Sequence, residues 1–186
     1  MLQIGVIKES DPNERSQFVN CLLVTRRKNK KLRILLDSRL VNIHSRTIQA
    51  TFSTNIEILA SIPSNVKYIS VLDLANAFYS IPVEKKSQNY FSFFDHKKRR
   101  LQFTVLPQGF KNSPYFLQKV LSTILSDLKG VLYFADDIVI YSTESMEDNI
   151  ETVIHVLKRL ANEGLKIAPQ KLKLAQISGF ILKVMK

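Results

Sequence analysis

Residues 131–142 read VLYFADDIVIYS, two apolar half-strands on either side of the adjacent aspartates Asp136 and Asp137. Strand interiors disfavour Asp, and two negative charges set side by side among apolar neighbours need compensation. Divalent cations are the usual compensation, and carboxylate oxygens are hard ligands suited to Mg2+. A tight strand–turn–strand places both carboxylates at a hairpin tip. A plain polar turn is the competing reading, since Asp is common in turns.

A second out-of-place carboxylate decides between them. Residues 68–74, YISVLDL, are β-branched and apolar enough for a buried strand, yet they carry Asp73 near the end. Beside the hairpin tip, Asp73 completes a three-carboxylate cluster. Such a cluster can hold two Mg2+ ions about 3.5–4 Å apart, which clamp the attacking and leaving oxygens of an in-line phosphoryl transfer. The protein then contributes mainly positioning and charge neutralisation. The sequence contains no GxxxxGK or GxGxxG phosphate loop, which disfavours a P-loop kinase or a dinucleotide enzyme.

Working outward, residues 24–42 form a basic stretch with Asn29 at a turn position, a hairpin with LRILL as its returning strand. A solvated charge run or a localisation signal has the same composition. Ser53 is expected to cap a short helix that Pro63 ends. Strands are expected over 88–94 and 101–105, joined by the basic turn DHKKRR. Ser113 and Pro114 suit the N-cap and first position of a helix with apolar residues Phe116, Leu117, Val120, Leu121, Ile124 and Leu128, stopped by Gly130. A second amphipathic helix is expected over 144–163. Its stripe is Ile150, Val153, Ile154, Leu157 and Leu160, and Gly164 supplies the left-handed terminus. Closing strands are expected over 165–168 and 177–184. Hairpins mixed with two helices predict an α+β layer rather than a regular parallel sheet.

The chain has 186 residues, 45 % of them hydrophobic, which suffices for a real core. Its formal net charge of +11 argues for a polyanionic partner, most often nucleic acid; a merely soluble basic surface is the alternative. The lone cysteine, Cys21, excludes an internal disulfide and a multi-cysteine zinc site, and fits a reducing compartment. No apolar run approaches the roughly 20 residues of a membrane span, and the N-terminus lacks the pattern of a signal peptide. An intracellular protein without a membrane partner is expected, cytoplasmic or, alternatively, nuclear.

Three segments in order, VLDLANAFYSIPV (71–83), VLPQGFKNSPYFLQ (105–118) and YFADDIVIYS (133–142), resemble the successive palm motifs of reverse transcriptases from retroviruses and LTR retrotransposons. LRILLDSRLVN (32–42) resembles the preceding fingers motif, and GLKIAPQKLKLAQISGF (164–180) the stretch that follows. The resemblance runs from about Val24 to the C-terminus. It implies a polymerase palm, an antiparallel sheet backed by helices, with a partial fingers subdomain and no thumb. In residue terms this is a partial fingers region over 1–72 and a palm over 73–186, with an intervening fingers segment at about 84–107. The chain stops where the thumb should begin, so a truncated domain is expected, with thumb, connection and ribonuclease H regions belonging to the remainder of a polyprotein. A weak or inactive nucleic-acid-binding remnant of an endogenous retroelement is the alternative.

Residue by residue, the resemblance implies that Asp73, Asp136 and Asp137 are the catalytic metal ligands, joined by the main-chain carbonyl of Leu74. They would hold two Mg2+ ions, with Mn2+ as a substitute. Phe78 matches the aromatic gate that rejects a 2′-hydroxyl and favours deoxynucleotides; a core phenylalanine is the plain alternative. Asn76 and Ala77 border the same pocket, Asn76 standing where the family usually has Asp. Gln108 and Gly109 match the loop on the incoming nucleotide, and Arg33 matches the fingers arginine that grips its triphosphate. Lys171 matches a basic residue that assists pyrophosphate departure, although one lysine among many is an equal reading. Arg26, Arg27, Lys30, Lys31, Arg39 and Phe134 are the expected contacts to the RNA or DNA template and primer, with a dNTP as co-substrate. Phe134 replaces the usual Tyr.

Overall fold

The computed structural model describes residues 1, 4–11, 18–26, 32–49 and 55–177. In chain order its elements are β1 (Ile7–Glu9), β2 (Leu22–Arg26), β3 (Leu32–Leu36), α1 (Arg39–His44), α2 (Asn55–Ala60), β4 (Tyr68–Asp73), α3 (Lys85–Gln88), β5 (Ser92–Phe94), β6 (Arg100–Phe103), α4 (Ser113–Leu125), β7 (Val131–Phe134), β8 (Asp137–Ser142), α5 (Met146–Asn162) and β9 (Lys173–Ile177). Short 3-10 turns lie at Ala77–Ser80, Asn89–Phe91 and Pro169–Lys171. Among the described residues no helix is long and apolar enough to cross a membrane.

The chain forms two compact units, Met1–Gln49 with Phe78–Phe116, and Ala50–Ala77 with Leu117–Lys186. These boundaries differ from those read off the sequence. Residues 55–72 join the second unit because Val66 and Ile69 share a buried cluster with Val139, with Ile62 and Val71 packed against it.

In the first unit β2 and β3 pair antiparallel from Leu22↔Leu36 to Arg26↔Leu32, the hairpin that the sequence predicts; its tip lies outside the described residues. A second sheet has the order β1-β6-β5. Phe91, Phe93, Leu101 and Phe103 build the core with Val6, Ile7, Leu36 and Val41. The strand expected over 88–94 shrinks to β5, because residues 85–91 coil into α3 and a 3-10 turn, and Gln88 donates to the Val83 carbonyl at 2.8 Å. The strand expected over 101–105 becomes β6, Arg100–Phe103.

The second unit is a four-stranded antiparallel sheet in the order β7-β8-β4-β9. In the β4–β8 ladder Ser70 opposes Ile140 and Leu72 opposes Ile138. All four residues are 0 % exposed and share one face. The opposite face carries Ile69, Val71, Val139 and Tyr141 and ends with Asp73 directly opposite Asp137.

Helix α5 has contacts with β4, β8 and β9. It starts with a capping box, in which Ser145 Oγ accepts from the Asp148 amide and the Asp148 carboxylate accepts from the Ser145 amide. Its buried stripe is Asn149, Val153, Val156 and Leu160, each apolar member contributing about 1.5–3 kcal/mol. The stripe differs from the expected one: Ile154 is 44 % exposed, and fully buried Val156 takes its place, since the helix is rotated to bury Asn149. At the other end the Arg159 guanidinium donates to the Ile124 carbonyl and to Asp127, which ties α5 to the end of α4. Ser113 is the first residue of α4 rather than its N-cap, and its hydroxyl donates to the Pro107 carbonyl at 3.1 Å. Gly130 precedes β7 at φ 72°, where a Cβ would stand 2.5 Å from the Tyr141 carbonyl oxygen.

One other expectation changes. The strand expected over 165–168 is only an isolated Leu74↔Ile167 bridge, with Ala168 donating its amide to the Asp73 carbonyl at 2.8 Å. β9 spans Lys173–Ile177, and the strand expected over 177–184 lies, beyond Ile177, outside the described residues. The expected Ser53 cap of α2 also lies outside them.

Candidate active site

Phe134 at the end of β7 pairs with Asp137 at the start of β8, so only Ala135 and Asp136 make the turn. Ala135 takes φ 51°, a left-handed conformation that lets two residues reverse the chain. Asp136 is exposed at the tip, and its carbonyl accepts the Leu74 amide at 2.8 Å. This bond fastens the tip to the end of β4. Phe134, Asp137 and Asp73 therefore form a row across three neighbouring strands, on the face opposite α5.

Directly opposed like charges repel. The effect is visible at Asp137, whose carboxyl is raised above the usual carboxylate range, first by burial and then by the negative charges of Asp136 and Asp73, with Lys171 offsetting part of it. Lys171 Nζ donates to Asp73 Oδ2 at 2.5 Å. That contact raises the lysine's own pKa, so it stays an ammonium at neutral pH. With the lysine side chain 58 % exposed, the pair is a wet one and contributes little to stability.

The carboxylate cluster expected from the sequence is thus brought together in part. Asp73 and Asp137 are direct partners and Asp136 adjoins them. Among the described residues, however, no three His, Cys, Asp or Glu side chains gather closely enough to hold a metal ion. The physical reason is their mutual repulsion, together with the ammonium that engages Asp73. The donor set still suits a divalent cation: all ligands are hard oxygens, and Asp137 has the negative charges of Asp136 and Asp73 beside it. Leu74 is buried at 2 % exposure beside them. Asn76 is exposed at φ 53°, a conformation Asn enters more readily than most residues, and Ala77 is buried.

In the first unit Gln108 and Gly109 line a cleft of about 600 Å3 together with Asp37, Ser38, Arg39 and Asn42. Gly109 has φ 107°, and an added Cβ would stand 3.1 Å from the Leu36 carbonyl oxygen. Asn42 clamps this loop: its Nδ2 donates to the Gly109 carbonyl at 2.9 Å and its Oδ1 accepts the Lys111 amide at 2.9 Å. The sequence reading missed Asn42 as a positioning residue; its only signal was its place at the end of LRILLDSRLVN. Arg39 is exposed but engaged, with Nη2 2.6 Å from Asp37 Oδ2, and its guanidinium holds the Asp37 carboxyl below the usual range. Phe78, in the turn Ala77–Ser80, is half-buried. Arg26 and Arg33 lie in β2 and β3, with side chains outside the described set, as are Arg27, Lys30 and Lys31 altogether.

Comparison with known proteins agrees with this geometry. The family pattern "Reverse transcriptase (RNA-dependent DNA polymerase)" matches residues 18–182. The Gag-Pol polyprotein of Walleye dermal sarcoma virus is 31 % identical over 77 % of this chain and 8 % of its own length. The Pol polyprotein of Feline endogenous virus ECE1 is 28 % identical over 97 % of this chain and 18 % of its own. The chain spans about a tenth to a fifth of such relatives. Among solved structures, a foamy viral protease-reverse transcriptase in complex with double-stranded DNA is similar with a TM-score of 0.85, at 28 % identity over 94 % of this chain and 30 % of that one. The same kind of protein in complex with an RNA/DNA hybrid gives 0.82, at 28 % identity over 93 % of this chain and 22 % of that one. The chain belongs to the reverse transcriptase (RNA-dependent DNA polymerase) family.

Proposed function

We propose that this chain carries the catalytic palm of an RNA-directed DNA polymerase, which adds deoxynucleotides to a primer 3′ end on an RNA or DNA template, and that it is part of a retroelement polyprotein. The observation that carries this reading is Asp73 set directly opposite Asp137, with Asp136 fastened to the same strand end. Reverse transcriptases as a family use divalent metal ions. Asp73, Asp136, Asp137 and the Leu74 carbonyl would hold two Mg2+ ions, with Mn2+ as a substitute. Bound there, the cations would supply the positive charge that lowers the pKa of the primer hydroxyl and steadies the leaving pyrophosphate.

The chain's own residues do the rest. The two-residue turn and the β4–β8 ladder fix the backbone that carries the three aspartates, so only their side chains need to turn toward the cations. Lys171, held as an ammonium on Asp73, would give a proton or a hydrogen bond to departing pyrophosphate. Asn76, Ala77 and Phe78 would border the nucleotide sugar, with the Phe78 ring rejecting a 2′-hydroxyl. Gln108, Gly109 and Arg33 would receive base and triphosphate, and Arg26, Arg27, Lys30, Lys31, Arg39 and Phe134 the template and primer. The net charge of +11 favours a polyanionic duplex, with binding that weakens steeply as salt rises.

The test is homopolymer-templated dNTP incorporation with Mg2+ or Mn2+, run beside Asp136→Asn. Incorporation by the unaltered chain and its loss in the variant are expected. Equal incorporation by both would end the assignment.

A further inference from the structure

We propose that Ser70, oriented by Asn149, is a positioning residue: it holds a β-bulge that delivers Lys171, rather than Leu172, to Asp73. The inference rests on the polymerase reading for its purpose but not for its geometry.

β9 pairs with β4 in two registers. Tyr68 opposes Ile177 and Ile69 opposes Gln176, but Val71 opposes Lys173. The register shifts at Ser70, so that Leu174 and Ala175 together face one residue of β4. That is a bulge, and Ala175 has the left-handed φ, 43°, that such a residue can require. An extra residue in a ladder leaves its amide without the regular acceptor. Here Ser70 Oγ takes the Ala175 amide at 2.8 Å.

The hydroxyl can accept in that direction because its proton is directed elsewhere. Ser70 Oγ donates to Asn149 Oδ1 at 2.5 Å, and Asn149 Nδ2 donates to the carbonyls of Ile140 at 3.2 Å and Tyr68 at 3.4 Å. Ser70 and Asn149 are both 0 % exposed. A polar pair buried this completely is costly unless every group is used, and each of these bonds joins a different strand or helix. One serine thereby links β4, β9 and α5.

The consequence appears at the tip. The ladder ends at Val71↔Lys173 and the chain passes into the Pro169–Lys171 turn; counted two residues further in the bulged register, Lys171 comes level with Asp73, and its ammonium is hydrogen-bonded to Asp73 Oδ2. The register before the bulge, continued without a shift, would set Leu172 there. A one-residue slip also turns each β9 side chain to the other face. Ser70 thus chooses between an ammonium and an isobutyl group beside the first carboxylate.

The test reads register by disulfide trapping in the full chain with Cys21→Ser, so that only introduced thiols can pair. Val71→Cys is combined with Lys173→Cys or with Leu174→Cys, each with Ser70 intact and with Ser70→Ala. Directly opposed residues meet the Cα spacing a disulfide requires. With Ser70 the 71–173 pair should form preferentially; with Ser70→Ala the preference should move toward 71–174 by about tenfold or more, the effect of orphaning buried hydrogen-bonding groups. An unchanged preference overturns the proposal. Should Ser70→Ala fail to fold, amide exchange of the unaltered chain decides: slow exchange at Ala175, matching the neighbouring ladder amides, supports the bond, and rapid exchange overturns it. Both readouts need no turnover, so they stand even if the chain proves inactive. Loss of the Lys171→Met effect on dNTP incorporation in the Ser70→Ala background would tie the register to catalysis, and a full effect retained there would sever it.

Discussion

If crowded carboxylates at the hairpin tip await a cation, that cation should stabilise the fold, and the gain should pass through Asp137. The Asp137 carboxyl is raised by burial and by its two acidic neighbours. A carboxyl raised in the folded state holds its proton more tightly there than in the unfolded chain. Its stabilising contribution is therefore fully present below the unfolded value of about 4 and is lost as pH rises through the raised folded value. At pH 7 its ionisation opposes folding, though solvent at this exposed tip screens the effect. A bound cation reverses the penalty. At a concentration ten times the dissociation constant the linkage gain is about 1.4 kcal/mol, and for a chain of this size about 2–4 °C per kcal/mol gives a rise in Tm of about 3–6 °C. The assay is thermal unfolding at pH 7 with MgCl2 against NaCl of matched ionic strength. Asp137→Asn should raise Tm in cation-free buffer and remove most of the response to Mg2+, and the response of the unaltered chain should shrink as pH falls toward about 4. An equal Mg2+ response in Asp137→Asn, or none in the unaltered chain, refutes the reasoning.

Gly130→Ala should cost about 2–4 kcal/mol in urea unfolding, because the residue sits at φ 72° and the new Cβ would meet the Tyr141 carbonyl oxygen at 2.5 Å. Ser145→Ala, which removes half of the α5 capping box, should lower stability by about 1 kcal/mol with an unchanged denaturant slope. Phe78→Val should raise ribonucleotide incorporation relative to deoxynucleotide by about tenfold or more in paired single-nucleotide assays, and an unchanged ratio would remove Phe78 from the sugar pocket.

Much of this molecule was legible where sequence conflicts with its surroundings. Asp73, Asp136 and Asp137 stand out because strands reject carboxylates, and the ladder indeed sets the first opposite the third. The LRILL hairpin and the sheet strands at 68–73 and 131–142 follow from β-branched runs. What the sequence hid depends on tertiary partners. The rotation of α5 is chosen by Asn149, whose three hydrogen bonds reach atoms 9 to 81 residues away. Ser113 looked like a cap, but a carbonyl six residues back claims its hydroxyl. The bulge at Ser70 leaves no mark in periodicity, since a single serine in an apolar strand reads as noise until Ala175 and Asn149 are placed around it. Lys171 was matched only through the family resemblance, with one lysine among many as an equal reading, until the fold set its ammonium on Asp73.

The β7–β8 reversal also bears on how this chain can change over generations. With Phe134 paired to Asp137, just two residues separate the strands. A side chain exchanged there would leave that spacing intact. One inserted or deleted residue is another matter. It would uncouple Asp137 from Asp73 and turn Ile138 and Ile140, both 0 % exposed, outward. Length, more than composition, is what drift cannot alter at this point, and a frameshift-free indel scan of the tip should find almost no survivors while point variants outside the acidic pair persist.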